Sequence, residues 1–99
     1  MTASVSNIAP QAAIPSVTTA FHYVYILQSL KDPRRFYIGR ADELVERLAR
    51  HNRGAVSHTR DFAPWSIRTA IAFRERALAI QFERYLKSGS GRAFAKKRL

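Results

Sequence analysis

Two pairs of side chains in this sequence are suited to chemistry at a charged substrate. Tyr25 and Tyr37 lie in two aromatic, β-branched segments joined by a short turn, and neighbouring strands of a hairpin can bring both phenol hydroxyls to one sheet face. Arg47 and His51 are four residues apart in a segment of helical periodicity, so they share a helix face. A guanidinium and an imidazole placed in this way can face an active-site groove while the helix stays anchored to the core.

A fifth candidate, Glu83, lies in a later helical segment and flanks its apolar stripe. One carboxylate can be enough for Mg²⁺, because this cation keeps several waters and takes further oxygen ligands from substrate phosphates. The simpler alternative is an exposed ion pair with Lys87, four residues further along the helix. In the same way, strand tyrosines often serve only in core packing, so the residues alone leave both interpretations open.

The elements that carry these residues predict an α+β domain in which helices flank a small antiparallel sheet of three strands. Aromatic and β-branched runs predict the strands, at 21–28, 35–39 and 66–73. Helical spacing predicts two helices that end near residues 52 and 88, followed by a short basic helix over 92–99. The predicted order of elements is β-β-α-β-α-α.

Sequence signals also predict where the helices end and which side faces the core. Asp42 is the predicted N-cap of the first helix, and Gly89-Ser90-Gly91 is predicted to end the second. Apolar stripes are predicted on one side of each helix, formed by Leu44, Val45, Leu48 and Asn52 in the first and by Leu78, Phe82, Tyr85 and Leu86 in the second. Arg47 and His51 border the first stripe, so both are expected at the rim of the core.

The chain is strongly basic, and its charge is unevenly distributed. Its 99 residues are enough for one domain, with 17 Lys and Arg against seven Asp and Glu and a net charge of +10. Most of the basic residues are arginine, which binds phosphate through a bidentate fork, so nucleic acid is favoured as a partner over a membrane surface. No charged side chain precedes Lys31. Residues 1–20 are therefore predicted to form a flexible tail, and residues 21–99 the domain.

Composition also limits the compartment. The sequence contains no cysteine, which excludes disulfides and thiolate metal ligands. Because no basic residue precedes Lys31 and no apolar run reaches membrane-spanning length, neither a secretory signal nor a transmembrane helix is expected. We therefore expect a soluble, cytoplasmic protein.

The order of the aromatic motifs resembles the GIY-YIG nuclease family. Tyr23-Val24-Tyr25 is followed after eleven residues by Tyr37-Ile38-Gly39, which is the family's spacing, although Tyr23 takes the place of the first glycine. Segments 46–52 and 82–89 are similar to the family's first helix and to the helix that carries its metal-binding glutamate. The likeness covers residues from about 21 to 94 and implies a small, single-domain member of bacterial type.

This resemblance implies a metal-dependent endonuclease that hydrolyses phosphodiester bonds in DNA, with repair or recombination as the expected setting. Glu83 would then hold Mg²⁺ or Mn²⁺ at the leaving 3′ oxygen. Gly39 would have a structural role at the site, because glycine lets the chain leave the strand tightly and approach a phosphate.

The other implied roles concern protons and phosphate. Tyr25 is the favoured general base, and Tyr37 would orient the water or the phosphate. Arg47 would stabilise the charge that develops on the phosphoryl oxygens, and His51 would relay the proton.

Two other functions are compatible with the same residues. A domain of this fold that binds nucleic acid without cutting it would use the same basic surface, and a small interaction protein could dock an acidic partner there. The sequence leaves open whether the substrate is duplex, branched, single-stranded or damaged DNA, or RNA. It also leaves the oligomeric state open.

Overall fold

The computed structural model describes residues 21–99, within which three strands and three helices follow the predicted β-β-α-β-α-α order. The elements are the strands β1 (His22–Ser29), β2 (Phe36–Ala41) and β3 (Trp65–Phe73) and the helices α1 (Leu44–Asn52), α2 (Arg76–Leu86) and α3 (Gly89–Arg98). The predicted α+β fold class is confirmed. The predicted tail at 1–20 lies outside the described residues. Within the described part of the chain, no helix is long and apolar enough to cross a membrane.

The sheet is antiparallel, with β1 in the centre and the strand order β2-β1-β3. In the pairing of β1 with β2, Tyr25 lies opposite Gly39 and Leu27 lies opposite Tyr37. The two tyrosines are therefore diagonal neighbours, with ring centroids 6.4 Å apart. This register brings both rings to one face of the sheet, as the strand alternation predicts.

Strand β1 is buried on both faces, because helices cover each side of the sheet. One face lies against α2 and α3, through a cluster of buried side chains formed by Val24, Ile26, Ala79 and Leu86. The other face lies against α1, through a second cluster formed by Tyr25, Leu27, Ala41 and Trp65. We call these the α2 face and the α1 face. Alternation along β1 supplies both clusters, so this one strand connects the two layers.

The start of α1 differs from the prediction. Glu43, and not Asp42, precedes the first helical residue, and the Glu43 side chain makes no capping hydrogen bond. The Asp42 carboxylate instead lies 2.7 Å from Nδ1 of His22 on β1. The Asp42 carboxylate therefore contacts a distant strand and does not cap the helix in the way that the local sequence predicts.

The apolar stripes are narrower than predicted. Val45 is 83% exposed, and Leu78 and Tyr85 are exposed as well, so these three residues lie outside the core. Leu44 and Leu48 do pack against the α1-face cluster. On both helices, the residues that point directly at the sheet are the ones that are covered.

Gly89-Ser90-Gly91 begins a helix, although the sequence predicted that it ends one. The hydroxyl of Ser88 caps α3 by accepting a hydrogen bond from the Gly91 N–H at 3.1 Å. A Cβ atom on Gly91 would collide with the backbone carbonyl of Tyr85. Glycine therefore allows α3 to turn closely against the end of α2 and to pack on the α2 face.

Candidate active site

A chain of hydrogen bonds joins Tyr25 to the loop that follows α1. The Tyr25 hydroxyl lies 2.9 Å from His51 Nε2, and His51 Nδ1 lies 2.7 Å from the Thr59 hydroxyl. The Thr59 hydroxyl lies 3.3 Å from the Val56 carbonyl, which can only accept. Thr59 therefore donates to Val56 and accepts from the Nδ1–H of His51. In the neutral imidazole, Nε2 is then left as an acceptor for the proton of Tyr25.

Trp65 fixes the loop that carries Thr59. The indole N–H of Trp65 donates to the Thr59 carbonyl at 2.8 Å. The Asn52 side chain binds the Trp65 backbone at both groups, accepting from its N–H at 2.6 Å and donating to its carbonyl at 3.1 Å. The end of α1 and the start of β3 thus hold Thr59 in place beside His51.

His51 lies inside the core and not at its rim, so the predicted rim position is wrong. Its side chain is 1% exposed, and its ring centroid lies 5.9 Å from that of Tyr25 and 5.0 Å from that of Tyr37. Burial lowers the pKa of His51, and the positive charges of Arg47 and Arg50 lower it further. The imidazole is therefore neutral near pH 7, and it can accept a proton.

The environment of Tyr25 keeps its phenol protonated in the resting protein. Burial raises the pKa of Tyr25 above its ordinary value, and the neighbouring Tyr37 and Glu83 raise it too. Arg47 acts in the opposite direction, through hydrogen bonding and charge. A phenolate at Tyr25 therefore requires an acceptor for its proton or additional positive charge close by.

Gly39 leaves room for the ring of Tyr25, and this is not the role that the sequence predicted for it. Strand β2 continues past Gly39 to Ala41, so the chain does not leave the strand at the glycine. A Cβ atom at Gly39 would lie 2.5 Å from the Tyr25 hydroxyl oxygen and 2.6 Å from its Cζ atom. The missing side chain lets the phenol of Tyr25 lie across β2.

Arg47 reaches from α1 to β2, where its Nη1 donates to the Arg40 carbonyl at 3.2 Å. The side chain is half-buried, and its charge affects the pKa values of both Tyr25 and His51. Tyr37, Tyr25, Arg47 and His51 are thus brought together on the α1 face. Because a neutral carbonyl is a weaker partner for a guanidinium than a phosphate, Arg47 can exchange this contact for a substrate.

Glu83 approaches the same region from α2, on the other face of the sheet. Its carboxylate oxygens lie 3.5 Å from Arg40 Nε and 3.0 Å from Lys87 Nζ. The side chain is 19% exposed, and its negative charge contributes to the raised pKa of Tyr25. The ion pair with Lys87 that helical spacing indicates is therefore present, but Glu83 also has a second cationic partner on β2.

Residues 21–98 match the family model described as the GIY-YIG catalytic domain. The chain belongs to the GIY-YIG family. Structure-specific endonuclease subunit SLX1 of Meyerozyma guilliermondii is 40% identical to it over 77 residues, which are 72% of this chain and 26% of that protein. Structure-specific endonuclease subunit slx1 of Talaromyces marneffei is 39% identical over 75 residues, which are 70% of this chain and 19% of that protein. The family resemblance is confirmed, and so is the prediction of an enzyme of this nuclease family.

The likeness to these relatives concerns the GIY-YIG domain alone, because the chain spans about a quarter of their length or less. Both relatives are fungal proteins. The expected likeness to small bacterial-type members is therefore not confirmed by them.

Glu83 is the residue of this GIY-YIG domain that is best suited to hold a divalent cation. Among residues 21–99, no three or more His, Cys, Asp or Glu side chains converge on one point, so a cation would depend on Glu83 together with waters and phosphate oxygens. The carboxylate already attracts positive charge from Arg40 and Lys87. Because Lys87 is half-exposed on a flexible side chain, it can move away, and the residues fit a cation with one protein ligand.

Two residues of the site, Thr59 and Arg40, are not among the sequence candidates. Thr59 lies in an irregular loop, and only the fold shows that it reaches the imidazole of His51. Arg40 directly follows the second tyrosine motif, and this adjacency is the one signal that could have found it. Its Nε atom is buried without a hydrogen-bond partner, so its charge depends on the Glu83 carboxylate.

Proposed function

We propose that this GIY-YIG domain is a metal-dependent endonuclease that hydrolyses phosphodiester bonds in DNA. The supporting observation is the buried hydrogen-bond chain from Tyr25 through His51 to Thr59, with the Arg47 guanidinium beside it. Hydrolysis of a phosphodiester needs a proton acceptor near a cationic group that binds phosphate, and this cluster supplies both. The net charge of +10 favours a polyanionic substrate.

Hydrolysis begins with a water molecule beside the Tyr25 hydroxyl. As the water attacks phosphorus, its proton passes to Tyr25 while the original Tyr25 proton passes to His51 Nε2. A bond forms between the water oxygen and phosphorus, and the bond from phosphorus to the 3′ oxygen breaks. The 3′ oxygen takes a proton from solvent, which gives a 3′-hydroxyl and a 5′-phosphate. The lowered pKa of His51 then favours return of its extra proton through Tyr25 to solvent.

The remaining side chains position and stabilise the reacting groups. Thr59 fixes the imidazole of His51 in the tautomer that accepts the proton, and Tyr37 orients the water or the phosphate. Arg47 stabilises the charge that develops on the phosphoryl oxygens. Glu83 would hold Mg²⁺ or Mn²⁺, which supplies positive charge for the departure of the 3′ oxygen when it is bound.

The relatives' name, structure-specific endonuclease subunit, supports a proposal about the substrate class. We infer that this domain cuts DNA at an irregular feature such as a branch, in repair or recombination, and that it works with a partner chain. We also infer that residues 21–99 form the working domain, because every charged side chain and every site residue lies within them. Deletion of residues 1–20 should therefore leave cleavage unchanged, and loss of folding or of cleavage would contradict this inference.

The test is incubation of the purified chain with end-labelled duplex, flapped, branched and single-stranded DNA, with Mg²⁺ or Mn²⁺ and with EDTA. We expect metal-dependent cutting that is fastest on DNA with a branch. Tyr25→Phe should abolish cutting because it removes only the hydroxyl, whereas Tyr85→Phe, on the exposed side of α2, should cut normally. Metal-free DNA binding without cutting of any substrate would instead support a silent binding module.

A further inference from the structure

An open groove of about 760 Å³ lies on the α2 face, between the sheet and α3. Its floor is apolar, and Ile26 and Phe36 contribute to it. Its rim is basic and consists of Arg68, Lys87, Arg92 and Lys96. Among the described residues that line the groove, none is acidic. The groove thus combines an apolar surface with four positive charges.

We propose that this groove binds an unpaired, single-stranded segment of the nucleic acid substrate. The proposal rests on the proposed function, since it adds a binding site for one part of the same substrate. The four cations of the rim would contact the phosphates of the strand, while its bases would lie on the apolar floor. A single strand has a charged backbone and flat apolar rings, so its backbone matches the basic rim and its bases match the apolar floor.

Phe36 supplies the surface on which a base can stack. Its side chain is 51% exposed, so the ring is accessible to a ligand in the groove. The guanidinium of Arg68 lies 5.5 Å from the centroid of the Phe36 ring. An aromatic ring and a cation are therefore adjacent in the groove, so that a base could stack on Phe36 while its phosphate contacts Arg68.

The groove adjoins the candidate active site at two residues. Tyr37 lines the groove, and its ring also lies against His51, with 5.0 Å between the centroids. Lys87 lines the groove as well, and it binds the Glu83 carboxylate at 3.0 Å. A strand in the groove would therefore lie close to two residues, Tyr37 and Lys87, that contact groups of the candidate active site.

The stacking surface favours a single strand over a duplex. In a duplex the bases are stacked on one another, so a protein meets mainly phosphates and base edges. Phe36 and the apolar floor offer nothing to such a surface, whereas an unpaired base can use them. An acidic amphipathic segment of another protein would also match the charge, and the experiment includes it as an alternative.

The test measures DNA binding by fluorescence anisotropy with the full chain in EDTA, so that cleavage does not enter. The probes are a duplex with a single-stranded arm and a fully paired duplex with the same number of phosphates. Phe36→Ala should weaken binding of the armed DNA about tenfold and change binding of the paired duplex little. Phe94→Ala, which removes an exposed phenylalanine outside the groove, should have no effect on either probe.

A charge variant tests the rim of the groove. Arg92→Ala should weaken binding of the armed DNA and reduce its salt dependence by about one phosphate contact. Arg74→Ala, which removes an exposed arginine that directly follows β3 and is not part of the groove lining, should not discriminate between the two probes. Circular dichroism of each variant checks that the fold is retained, which is expected because Phe36 and Arg92 are both exposed.

The outcomes separate the groove from the proposed endonuclease. Equal losses on both probes, or unchanged affinity in Phe36→Ala and Arg92→Ala, would overturn the groove proposal even if the chain cuts DNA. Unchanged DNA binding together with weaker binding of a labelled Glu/Leu amphipathic peptide would identify a protein-docking surface instead, and would overturn it too. Selective loss on the armed probe supports the groove, even for a chain that does not cut.

Discussion

The two faces of the sheet use polar groups in opposite ways. On the α1 face, Tyr25, His51 and Thr59 are buried, and their polar atoms are joined in one hydrogen-bond chain. On the α2 face, Glu83 and Lys87 are partly exposed and held by charge. Burial fixes the geometry that a proton transfer needs, while exposure lets charged groups exchange partners when a cation or a phosphate arrives. Under the proposed function, the α1 face would serve the proton transfer and the α2 face would hold the cation.

Removing the Glu83 carboxylate tests the role of the α2 face, and it should have the largest effect on cleavage. We expect Glu83→Ala to abolish cleavage, since the cation that assists the leaving oxygen loses its protein ligand. The fold and metal-free DNA binding should remain, with some loss of stability because Arg40 loses its carboxylate partner. Cleavage assays in Mg²⁺, with Glu75→Ala as an exposed control at the start of α2, measure this effect. A wild-type cutting rate in Glu83→Ala would remove the metal assignment.

Arg47 tests whether the charge beside the α1-face cluster is catalytic. If it stabilises the transition state, Arg47→Ala should lower single-turnover rates by on the order of a hundredfold with little change in affinity. Arg47→Lys should restore little activity, because an ammonium cannot reproduce the bidentate fork.

The control for this prediction is Arg50→Ala, three residues further along α1, which should weaken DNA binding alone. If Arg47→Ala instead cuts at the normal rate at saturating DNA, Arg47 only contributes to the basic field. Its effect would then be a reduced salt dependence of binding.

Gly39 tests how closely the α1-face cluster is packed. Gly39→Ala should lower the free energy of unfolding by about 1–3 kcal/mol, because the new methyl group overlaps the Tyr25 ring and something must shift. It should also slow cleavage, since Tyr25 Oη is displaced from His51. The matched control is Gly89→Ala, where a Cβ atom meets nothing within 4 Å. Urea denaturation of both variants decides the point, and equal stabilities would show that the ring of Tyr25 can move freely.

Acidification should also lower the free energy of unfolding, by a smaller amount than Gly39→Ala, through His51 on the α1 face. In the unfolded chain His51 takes up a proton near its ordinary pKa of 6.5, whereas burial lowers its pKa in the folded protein. The unfolded state therefore binds more protons as the pH falls through 6.5, so stability is lost in that direction, by less than about 1.4 kcal/mol per pH unit.

The variants His51→Gln and His58→Ala isolate this contribution to the pH dependence. Urea denaturation at pH 7.5 and 5.5 should show a smaller stability difference in His51→Gln than in the wild type. His58→Ala, which removes an exposed imidazole from the loop that follows α1, should behave as the wild type does. A pH dependence that His51→Gln leaves intact would mean that another group is responsible.

The local sequence pattern predicts the features that depend on neighbours along the chain, such as the side of a strand or helix on which a residue lies. Strand alternation places Tyr25 and Tyr37 on one face, and helical spacing places Arg47 and His51 side by side. The pattern does not predict contacts that form only when distant elements meet. The burial of His51 requires Thr59 and both tyrosines around it, and the Asp42 carboxylate is engaged by His22 from another strand. Gly89-Ser90-Gly91 begins a helix because Ser88 caps it. The prediction gives the glycines weight as a helix stop and does not consider Ser88 as an N-cap.

The candidate site is assembled from both sides of β2, with residues that lie between positions 25 and 83. Tyr25 and His51 depend on the docking of α1, and Glu83 depends on the docking of α2, so neither half is formed by a chain that lacks one layer. If the domain cuts DNA as proposed, cutting would require both helical layers to be docked on the sheet at the same time. A molecule in which one helix has come away from the sheet would then be inactive although most of its structure remained.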